Sequence, residues 1–299
     1  MASDYAPLAR YLEGQGIVPA GACWYPMKGG RTNRLWRISS GDSSDVLVVK
    51  LYSEATPNPM FPNDPNAEAR VLRHLGGQGL SPEFRAVVDT PQGTCLVYRY
   101  LPGTSWHTDP RPVAQKLRLL HQLPAPPGLR SGADGAADLV VQTRHILSHI
   151  PQEQAREHEQ LIPRMTLPAP SGQRALLHGD VVPGNLVMAY DGPVLIDWQC
   201  PAVGDPADDL AIFLSPAMQQ LYCGRTLSKA ERAAFLAAYD DPETIARLRA
   251  LAPWHHWRMA AYCLWRMHQG VNDYAEGLSL ELAALRGDVS DVSERGNAL

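Results

Sequence analysis

The 299-residue chain lacks the features of several large protein classes. Its five cysteines are odd in number and widely spaced, so they predict reduced thiols rather than a disulfide framework or a zinc site. No stretch approaches the roughly eighteen apolar residues of a membrane-spanning helix, and no basic region with a following apolar run marks a secretory signal. A net charge of −4 gives no basic face for nucleic acid. We therefore expect a cytoplasmic protein that binds neither membrane nor nucleic acid.

Two common nucleotide-binding signatures, G-x-G-x-x-G and the Walker A Lys-Ser/Thr, are also missing. The chain has instead a distinctive segment, HGDVVPGNLVMAYDGPVLIDW, in which Asn185 follows Asp180 by five residues and Asp197 follows Asn185 by twelve. Apolar residues on both sides of Asp191-Gly192 predict a β-hairpin. Asn185 then stands at the entrance of the hairpin and Asp197 at its exit, which predicts that the two side chains lie close together.

This spacing suits phosphoryl transfer from a nucleotide to an alcohol. One carboxylate must orient or deprotonate the acceptor hydroxyl, and an Asn and a second Asp must hold the Mg²⁺ that bridges the phosphates. The protein-kinase version places a catalytic-loop Asp, an Asn five residues later and a metal-binding Asp after a short hairpin. An ordinary hairpin with turn-forming Asp and Asn is the alternative interpretation, and the complete spacing favours the kinase.

Downstream of Asp197, the segment GDPADDLA runs from Gly204 to Ala211. With this segment the chain resembles the aminoglycoside phosphotransferase and choline kinase family of small-molecule kinases, which carries H-[GN]-D-x-x-x-x-N, then I-D-W, then G-D-P-x-x-D-L-A. The resemblance implies that Asp180 is the catalytic base and that Asn185 and Asp197 are metal ligands. The resemblance further implies that Asp209 is either a structural carboxylate or a substrate-side carboxylate, one that contacts the substrate.

The resemblance also implies a protein-kinase-like, two-lobed α+β fold that uses ATP or GTP with Mg²⁺. Residues 1–101 would form a small nucleotide-binding lobe with an antiparallel β-sheet and one helix. Residues 102–299 would form a larger, mainly helical lobe with the catalytic and substrate-binding residues.

Residues of the N-terminal third fit such a nucleotide-binding lobe. Gly29 and Gly30 precede a predicted strand and would let backbone amides approach phosphates, with Asn33 in the same nucleotide-binding turn. Lys50 ends a buried, β-branched strand, where a lysine must find an anion or reach water. In the kinase arrangement it holds the α- and β-phosphates and pairs with a Glu on the next helix. Glu68 is the predicted partner.

The helix that carries Glu68 is predicted from the apolar periodicity of residues 66–75, with Asn66 as its N-cap and glycines at its end. Two more strands follow, and Arg99, Tyr100 and Leu101 end the second of them. In kinase-like folds this position is the hinge that binds the adenine edge, so we place the nucleotide base there. A simple turn at the end of the sheet is the alternative.

Aromatic residues near the C-terminus are the candidates for substrate recognition. Trp254, Trp257 and Trp265 share one face of a helix that Pro253 is predicted to start. Such a stripe is either core or a wall that binds an ammonium group through cation–π contacts. Choline kinases carry a Trp-x-x-Trp pair on a late helix and a later Asp-Tyr-Ala, which Asp273-Tyr274-Ala275 resembles.

The expected acceptor is therefore a small amino alcohol of the choline or ethanolamine kind. Two departures weaken that assignment: the loop is spelled H-G-D rather than H-N-D, and no aromatic residue follows Asp197 closely after Trp198. Thiamine and aminoglycosides are alternative acceptors. A protein kinase is disfavoured because no Ala-Pro-Glu anchor follows Asp197. A nucleotide-binding pseudokinase is disfavoured because Lys50, Asp180, Asn185 and Asp197 are all present.

Overall fold

The computed structural model describes residues 5–27, 32–41, 45–53 and 57–287. The chain forms two compact units. The first contains Met1–Asn58, Pro62–Thr104 and Val187–Cys200, and the second contains Pro59–Phe61, Ser105–Leu186 and Pro201–Leu299. This grouping differs from a simple division between residues 101 and 102, because the hairpin after Asn185 clusters with the first unit.

The first unit is built on a five-stranded antiparallel sheet in the order β1-β2-β3-β5-β4. The strands are β1 (Cys23–Pro26), β2 (Arg34–Ser39), β3 (Leu47–Leu51), β4 (Phe84–Thr90) and β5 (Gly93–Arg99). Four of them were predicted from alternation and turn residues; β1 was not. Helix α1 (Ala6–Gly14) buries Leu8 and Leu12 in the same core as Trp24 and Val49.

Helix α2 (Pro65–His74) follows β3 and carries Glu68. Its N-cap is Asp64, whose side chain accepts hydrogen bonds from the backbone amides of Asn66 (2.9 Å) and Ala67 (3.0 Å). The predicted cap, Asn66, is therefore wrong. Pro65 is favoured in the first turn, where its missing N–H costs nothing, so the capping side chain must precede it.

Two small sheets contain strands from, or next to, the segment with the distinctive motif. One has the order β10-β9-β6 and contains β6 (Thr104–Ser105), β9 (Leu186–Ala189) and β10 (Gly192–Leu195). The pairing of β9 with β10 confirms the predicted hairpin. The other has the order β7-β11-β8 and contains β7 (Arg130–Ser131), β8 (Ala175–Leu177) and β11 (Ala202–Gly204).

The second unit is otherwise helical. Its helices are α3 (Arg111–Gln122), α4 (Ala136–Leu147), α5 (Gln152–Glu159), α6 (Ala207–Leu214), α7 (Pro216–Cys223), α8 (Lys229–Tyr239), α9 (Pro242–His268) and α10 (Ala275–Arg286). Short 3₁₀ turns span Pro183–Asn185 and Asn272–Tyr274. Within the ranges that the structure describes, no helix combines the length and the apolar character needed to cross a lipid bilayer.

Helix α9 corrects one prediction, because Pro253 lies inside it and does not start it. The helix begins at Pro242, where the Asp241 side chain accepts a hydrogen bond from the Thr244 amide (3.1 Å). An interior proline removes one backbone hydrogen bond. The buried face continues on both sides of it, with Leu251 before and Trp254 after, so tertiary packing outweighs the local penalty.

Candidate active site

A buried lysine lies between two carboxylates in the first unit. Lys50, on β3, is 1% exposed, and its Nζ donates to Glu68 Oε2 at 2.5 Å and to Asp197 Oδ1. The Tyr52 hydroxyl donates to the same Glu68 oxygen. We call Lys50, Tyr52, Glu68 and Asp197 the Lys50 cluster. It joins the sheet, helix α2 and the exit of the hairpin within one unit.

The cluster keeps Lys50 charged. Burial disfavours the ammonium, but Asp197 and Glu68 outweigh that effect and raise the pKa of Lys50. Burial raises the pKa of Glu68 although Lys50 opposes it. Burial and the neighbouring Glu68 raise the pKa of Tyr52, which therefore acts as a donor. A lysine ammonium has three N–H donors, and the contacts with Glu68 and Asp197 use two of them.

Asp197 has an unusual backbone conformation. Its φ is 62°, and among the described residues the only other non-glycine residue with positive φ is Asp240, which ends α8. Left-handed conformations of non-glycine residues cost about 1–3 kcal/mol and concentrate at functional sites. The Asp197 side chain is 33% exposed, so it reaches solvent as well as Lys50. The hairpin exit thus aims a carboxylate at a position that a cation can reach.

Asn33 has a network of amides around it. Its Nδ2 donates to Asn63 Oδ1 (2.9 Å) and Gln199 Oε1 (3.0 Å). Its Oδ1 accepts from Asn63 Nδ2 (2.8 Å) and from the Ser53 amide (3.1 Å). Both ends of the Asn33 amide are therefore used to hold neighbouring segments of the first unit. Its predicted part in nucleotide binding stays a prediction, and Gly29 and Gly30 lie outside the described residues.

The predicted hinge follows β5. The backbone amides of Arg99 and Tyr100 already donate to Glu83 O (2.8 Å) and Val46 O (2.7 Å). The Leu101 amide has no partner within the described part of the chain. Of the three predicted residues, Leu101 therefore offers the donor for an adenine ring. The hinge assignment itself stays a prediction.

In the second unit, the segment from β8 to the 3₁₀ turn presents one carboxylate. We call residues 178–185 the 178–185 loop. From Ala175 to Leu186 every residue is buried except Asp180, which is half-buried, and Gly184, which is exposed. A Cβ on Gly184 would lie 2.5 Å from the Tyr222 ring, so a side chain there would require that ring to move. Asp180 is thus the one side chain of this segment that meets solvent.

Asp209, in the first turn of α6, holds the 178–185 loop through its backbone. It is fully buried, and its two oxygens accept hydrogen bonds from the amides of His178 and Gly179, both at 2.8 Å. Gly179 has a φ of 80°, a conformation that favours glycine. His121 Nε2 lies 3.1 Å from Asp209 Oδ2. These contacts favour the structural role of Asp209 over a substrate-side one.

Asn185 and Asp180 are joined across the loop. Asn185 Nδ2 donates to the Asp180 backbone carbonyl and to Asp180 Oδ2, both at 3.0 Å. The side-chain carbonyl oxygen of Asn185, Oδ1, has no hydrogen-bond donor among the described residues. Mg²⁺ takes oxygen ligands and uses one or two carboxylates together with phosphates and waters. An amide oxygen on Asn185 and a carboxylate on Asp197 therefore fit the chemistry of Mg²⁺.

The predicted tryptophan stripe is buried in the second unit: Trp254 and Trp257 are 0% exposed and Trp265 is 3% exposed. Trp257 stacks on His158 with ring centroids 5.9 Å apart. Its Nε1 donates to His158 O at 3.0 Å, and its own carbonyl lies 3.0 Å from His158 Nε2. These contacts between α5 and α9 favour the core alternative for Trp254 and Trp257.

A separate aromatic cluster surrounds Tyr262, one turn before Trp265. Its ring lies 5.0 Å from Phe61, 5.6 Å from Trp265 and 5.8 Å from Tyr274, measured between centroids. The Arg266 guanidinium lies 5.5 Å from the Trp265 ring and 5.4 Å from the Tyr274 ring. The ring faces of Trp265 and Tyr274 therefore already meet a cation that belongs to the chain.

Sequence reasoning missed three contributors. Tyr52 is two residues after Lys50, so strand alternation would have placed both on one face. Tyr262 is three residues before Trp265 on a helix, and a Tyr-x-x-Trp pattern would have found it. His121 gave no local signal, because its contact with Asp209 joins residues 88 positions apart.

Comparisons with known proteins show the family and the fold of the chain. The profile of the phosphotransferase enzyme family matches residues 24–251. The fold is similar to a choline kinase from Cryptosporidium parvum Iowa II, at 13% identity and a TM-score of 0.64 over 94% of this chain and 95% of that one. An ethanolamine kinase from Plasmodium vivax gives 17% identity and a TM-score of 0.64 over 93% of this chain and 87% of that one.

An aminoglycoside phosphotransferase in ternary complex with AMP-PNP and hygromycin B gives 16% identity and a TM-score of 0.63, over 95% of this chain and 99% of that one. No curated protein matches the sequence significantly. These similarities confirm the predicted protein-kinase-like α+β fold.

Proposed function

Because the chain belongs to the phosphotransferase enzyme family, we propose that it moves the γ-phosphate of ATP to a hydroxyl group of a small amino alcohol. The observation that carries this proposal is the 178–185 loop, in which Asp180 meets solvent while the polar side chains of His178 and Asn185 are buried and the backbone is braced by Asp209. A catalytic carboxylate needs access to its substrate and a fixed backbone, and the loop provides both.

Asp180 would orient the acceptor hydroxyl and take its proton as the oxygen attacks the γ-phosphorus. The bond from phosphorus to the β–γ bridging oxygen breaks, and the products are a phosphate ester and ADP. Asn185 Nδ2 donates to Asp180 Oδ2 and so fixes the orientation of the carboxylate. Such proton transfer is typically worth roughly 10²–10⁴-fold in rate.

The Lys50 cluster would receive the phosphates. Lys50 keeps its charge and has a third donor for a phosphate oxygen, while Glu68 and Tyr52 fix its position. Asn185 and Asp197 are the proposed Mg²⁺ ligands. When bound, the ion would neutralise charge on the phosphates. GTP is the alternative donor, and turnover with each nucleotide decides between them.

The acceptor is proposed from the aromatic cluster around Tyr262. An amine or ammonium group binds aromatic faces and carboxylates. Two exposed carboxylates, Asp273 and Glu276, flank Tyr274 in the chain. The rings of this cluster are buried, with Tyr262 4% exposed, and Arg266 covers faces of Trp265 and Tyr274. A substrate cation would therefore reach Tyr262 only by displacing the guanidinium or moving a neighbouring ring. The fold similarities include aminoglycoside and choline kinases alike, so thiamine and aminoglycosides stay as alternative acceptors.

A coupled assay of ADP release tests the proposal. The purified chain is incubated with Mg²⁺ and ATP and with choline, ethanolamine, thiamine, an aminoglycoside or an amino sugar, and phosphorylated products are identified by mass spectrometry. We expect acceptor-dependent ADP release with choline or ethanolamine. Nucleotide binding without acceptor-dependent turnover across this panel would support a pseudokinase. Turnover confined to thiamine or aminoglycosides would refute the amino-alcohol assignment.

A pair of variants tests the aromatic cluster. We expect Tyr262→Leu to raise KM for the acceptor by about tenfold, the order of one lost cation–π contact, with little change in KM for ATP. Tyr190→Leu is the matched control, because Tyr190 is fully exposed in the hairpin turn. Equal increases in both KM values for Tyr262→Leu would show that Tyr262 is only structural.

A further inference from the structure

A cavity of about 100 Å³ lies within the helical unit, between α6, α8, α9 and α10. None of the residues that line it belongs to the 178–185 loop or to the aromatic cluster around Tyr262. Much of its wall is apolar and includes Leu214, Leu236, Leu248 and Met259. Its rim includes Arg249, which is exposed, so the cavity lies close to solvent.

Two buried donors on the wall have no partner. His255 is 6% exposed, and its Nδ1 lies 3.4 Å from Arg258 Nη2, which can only donate. Burial and the neighbouring Arg258 lower the pKa of His255 to about 3, so the ring is neutral. Nδ1 also lies 3.6 Å from Asp208 Oδ1, and acceptance from Arg258 at Nδ1 places the ring proton on Nε2. Among the described residues, neither His255 Nε2 nor Arg258 Nε has a hydrogen-bond acceptor. A buried donor without an acceptor is costly.

Arg232 adds a positive charge to the wall. Its Nη1 donates to the Leu214 carbonyl at 3.0 Å, and it forms no ion pair at contact distance with a described carboxylate. Glu281 also lines the cavity, but its oxygens accept from Ser215, the Ala217 amide and His256. Burial lowers the pKa of Arg232 although Glu281 opposes it. Glu281 is thus the one carboxylate among the described residues of the wall, and its hydrogen bonds go to groups other than Arg232, His255 Nε2 and Arg258 Nε.

The size of the cavity limits the occupant. A cavity of about 150 Å³ holds benzene and a water takes about 30 Å³, so this one fits about three waters or an organic molecule of about four to six heavy atoms. Water supplies acceptors but no charge, and it gains nothing from the apolar wall. We propose that this cavity binds a small aliphatic monocarboxylate, whose two oxygens accept from His255, Arg258 and Arg232 while its alkyl group meets the leucines and Met259.

Calorimetric titration of the full-length chain with propionate tests the proposal, with sodium chloride at equal ionic strength as the control. We expect saturable binding of propionate, and binding of its neutral analogue propionamide that is weaker by about tenfold, since a charge-assisted hydrogen bond is lost. Benzoate, which exceeds the size limit, is expected not to bind. Because turnover is not measured, the result does not depend on the proposed phosphotransfer.

Three variants distinguish binding in this cavity from binding elsewhere on the protein. Arg232→Met removes the charge and keeps the aliphatic stem, and Ala252→Leu fills the cavity without touching a donor. Each is expected to weaken propionate by about tenfold or more. Arg144→Met is the matched control, because Arg144 lies on α4 and is an exposed partner of Glu159 on α5. This variant should bind propionate as the wild type does.

The outcome that overturns the proposal is equally direct. It fails if propionate gives no saturable heat beyond the chloride control, which would leave water as the only occupant. It also fails if Ala252→Leu keeps wild-type affinity, because binding would then take place elsewhere. Should Arg232→Met not fold, Ala252→Leu and the propionamide comparison still decide the question.

Discussion

The Lys50 cluster and the 178–185 loop hold their charged groups in different ways. In the Lys50 cluster, side chains hold side chains: one ammonium meets two carboxylates, and a tyrosine hydroxyl shares one of them. In the 178–185 loop, a buried carboxylate holds backbone amides, and the solvent-facing Asp180 is held by the amide of Asn185. The first arrangement depends on a balance of charge, and the second depends on the path of the backbone.

This difference predicts how each region responds to change. A buried ion pair is strongly destabilised when one partner is removed, because the other charge is left uncompensated. A carboxylate that bridges backbone amides fixes geometry, so its loss should misplace Asp180 without changing charge near the nucleotide. Mutations of Lys50 should therefore act on ATP, and mutations of Asp180 or of the carboxylate that braces its loop should act on the chemical step.

The largest effect should come from Asp180→Asn. The amide keeps the size and the contact with Asn185 but cannot take a proton, so we expect kcat to fall by roughly 10²–10⁴-fold. The dissociation constant of Mg-ATP, measured by calorimetry, should stay within about threefold of the wild type. Asp191→Asn is the control, since Asp191 is exposed in the hairpin turn. Near-normal turnover would remove Asp180 from the mechanism.

The next effect should come from Lys50→Met, which tests the other side of the comparison. One charge-assisted hydrogen bond to phosphate is worth about 1.5–3 kcal/mol, so kcat/KM for ATP should fall by roughly 10–100-fold. KM for the acceptor should change little. If Lys50→Met raised KM for the acceptor as much as KM for ATP, the separate roles of the two regions would be lost.

The two regions also differ in how far the sequence predicted them. Local patterns predicted strands β2 to β5 and the hairpin, because each depends on alternation or turn residues. The Lys50–Glu68 pairing was predicted from the protein-kinase arrangement, with helical period placing Glu68 on the next helix. The Asp64 cap was missed because Asn66 also has a capping side chain. The interior position of Pro253 was missed because a proline usually marks a helix start.

Long-range contacts explain what the sequence left open. The choice between a structural and a substrate-side Asp209 depended on amides 30 and 31 residues away and on His121, 88 residues away. Similarly, Trp257 is a core residue because His158, 99 positions earlier, accepts its indole N–H. Periodicity shows which side chains share a face but does not show what covers that face.

A smaller effect is expected for Asp209→Asn. The amide accepts one backbone hydrogen bond well but presents an N–H₂ group toward the other amide, a mismatch of about 1–3 kcal/mol. We expect kcat to fall by about tenfold with KM for ATP unchanged, together with a lower melting temperature.

Asp208→Asn does not serve as a control, because Asp208 is itself paired with Arg258. Asp191→Asn does, since Asp191 is exposed in the hairpin turn. A rise in KM for ATP without loss of kcat would contradict a positioning role.

The smallest effect should come from Tyr52→Phe, which removes one donor from the Lys50 cluster. Glu68 keeps its bond to Lys50, so kcat/KM for ATP should fall by only about fivefold, equivalent to about 1 kcal/mol.

The sharper readout is the free energy of unfolding at alkaline pH. The pKa values of Tyr52 and Lys50 are raised in the folded chain, so above about pH 10 the unfolded chain releases protons that the folded chain retains.

The free energy of unfolding should therefore decline as pH rises from about 10 to about 11, by up to about 1.4 kcal/mol per pH unit for each such group. Tyr52→Phe should lose one group's share of this slope in denaturant titrations at several pH values. Tyr190→Phe, which changes a fully exposed tyrosine, should keep the wild-type slope. Identical slopes for the two variants would mean that the Tyr52 hydroxyl is not held by Glu68, and that charge balance in the Lys50 cluster involves Lys50 and its carboxylates alone.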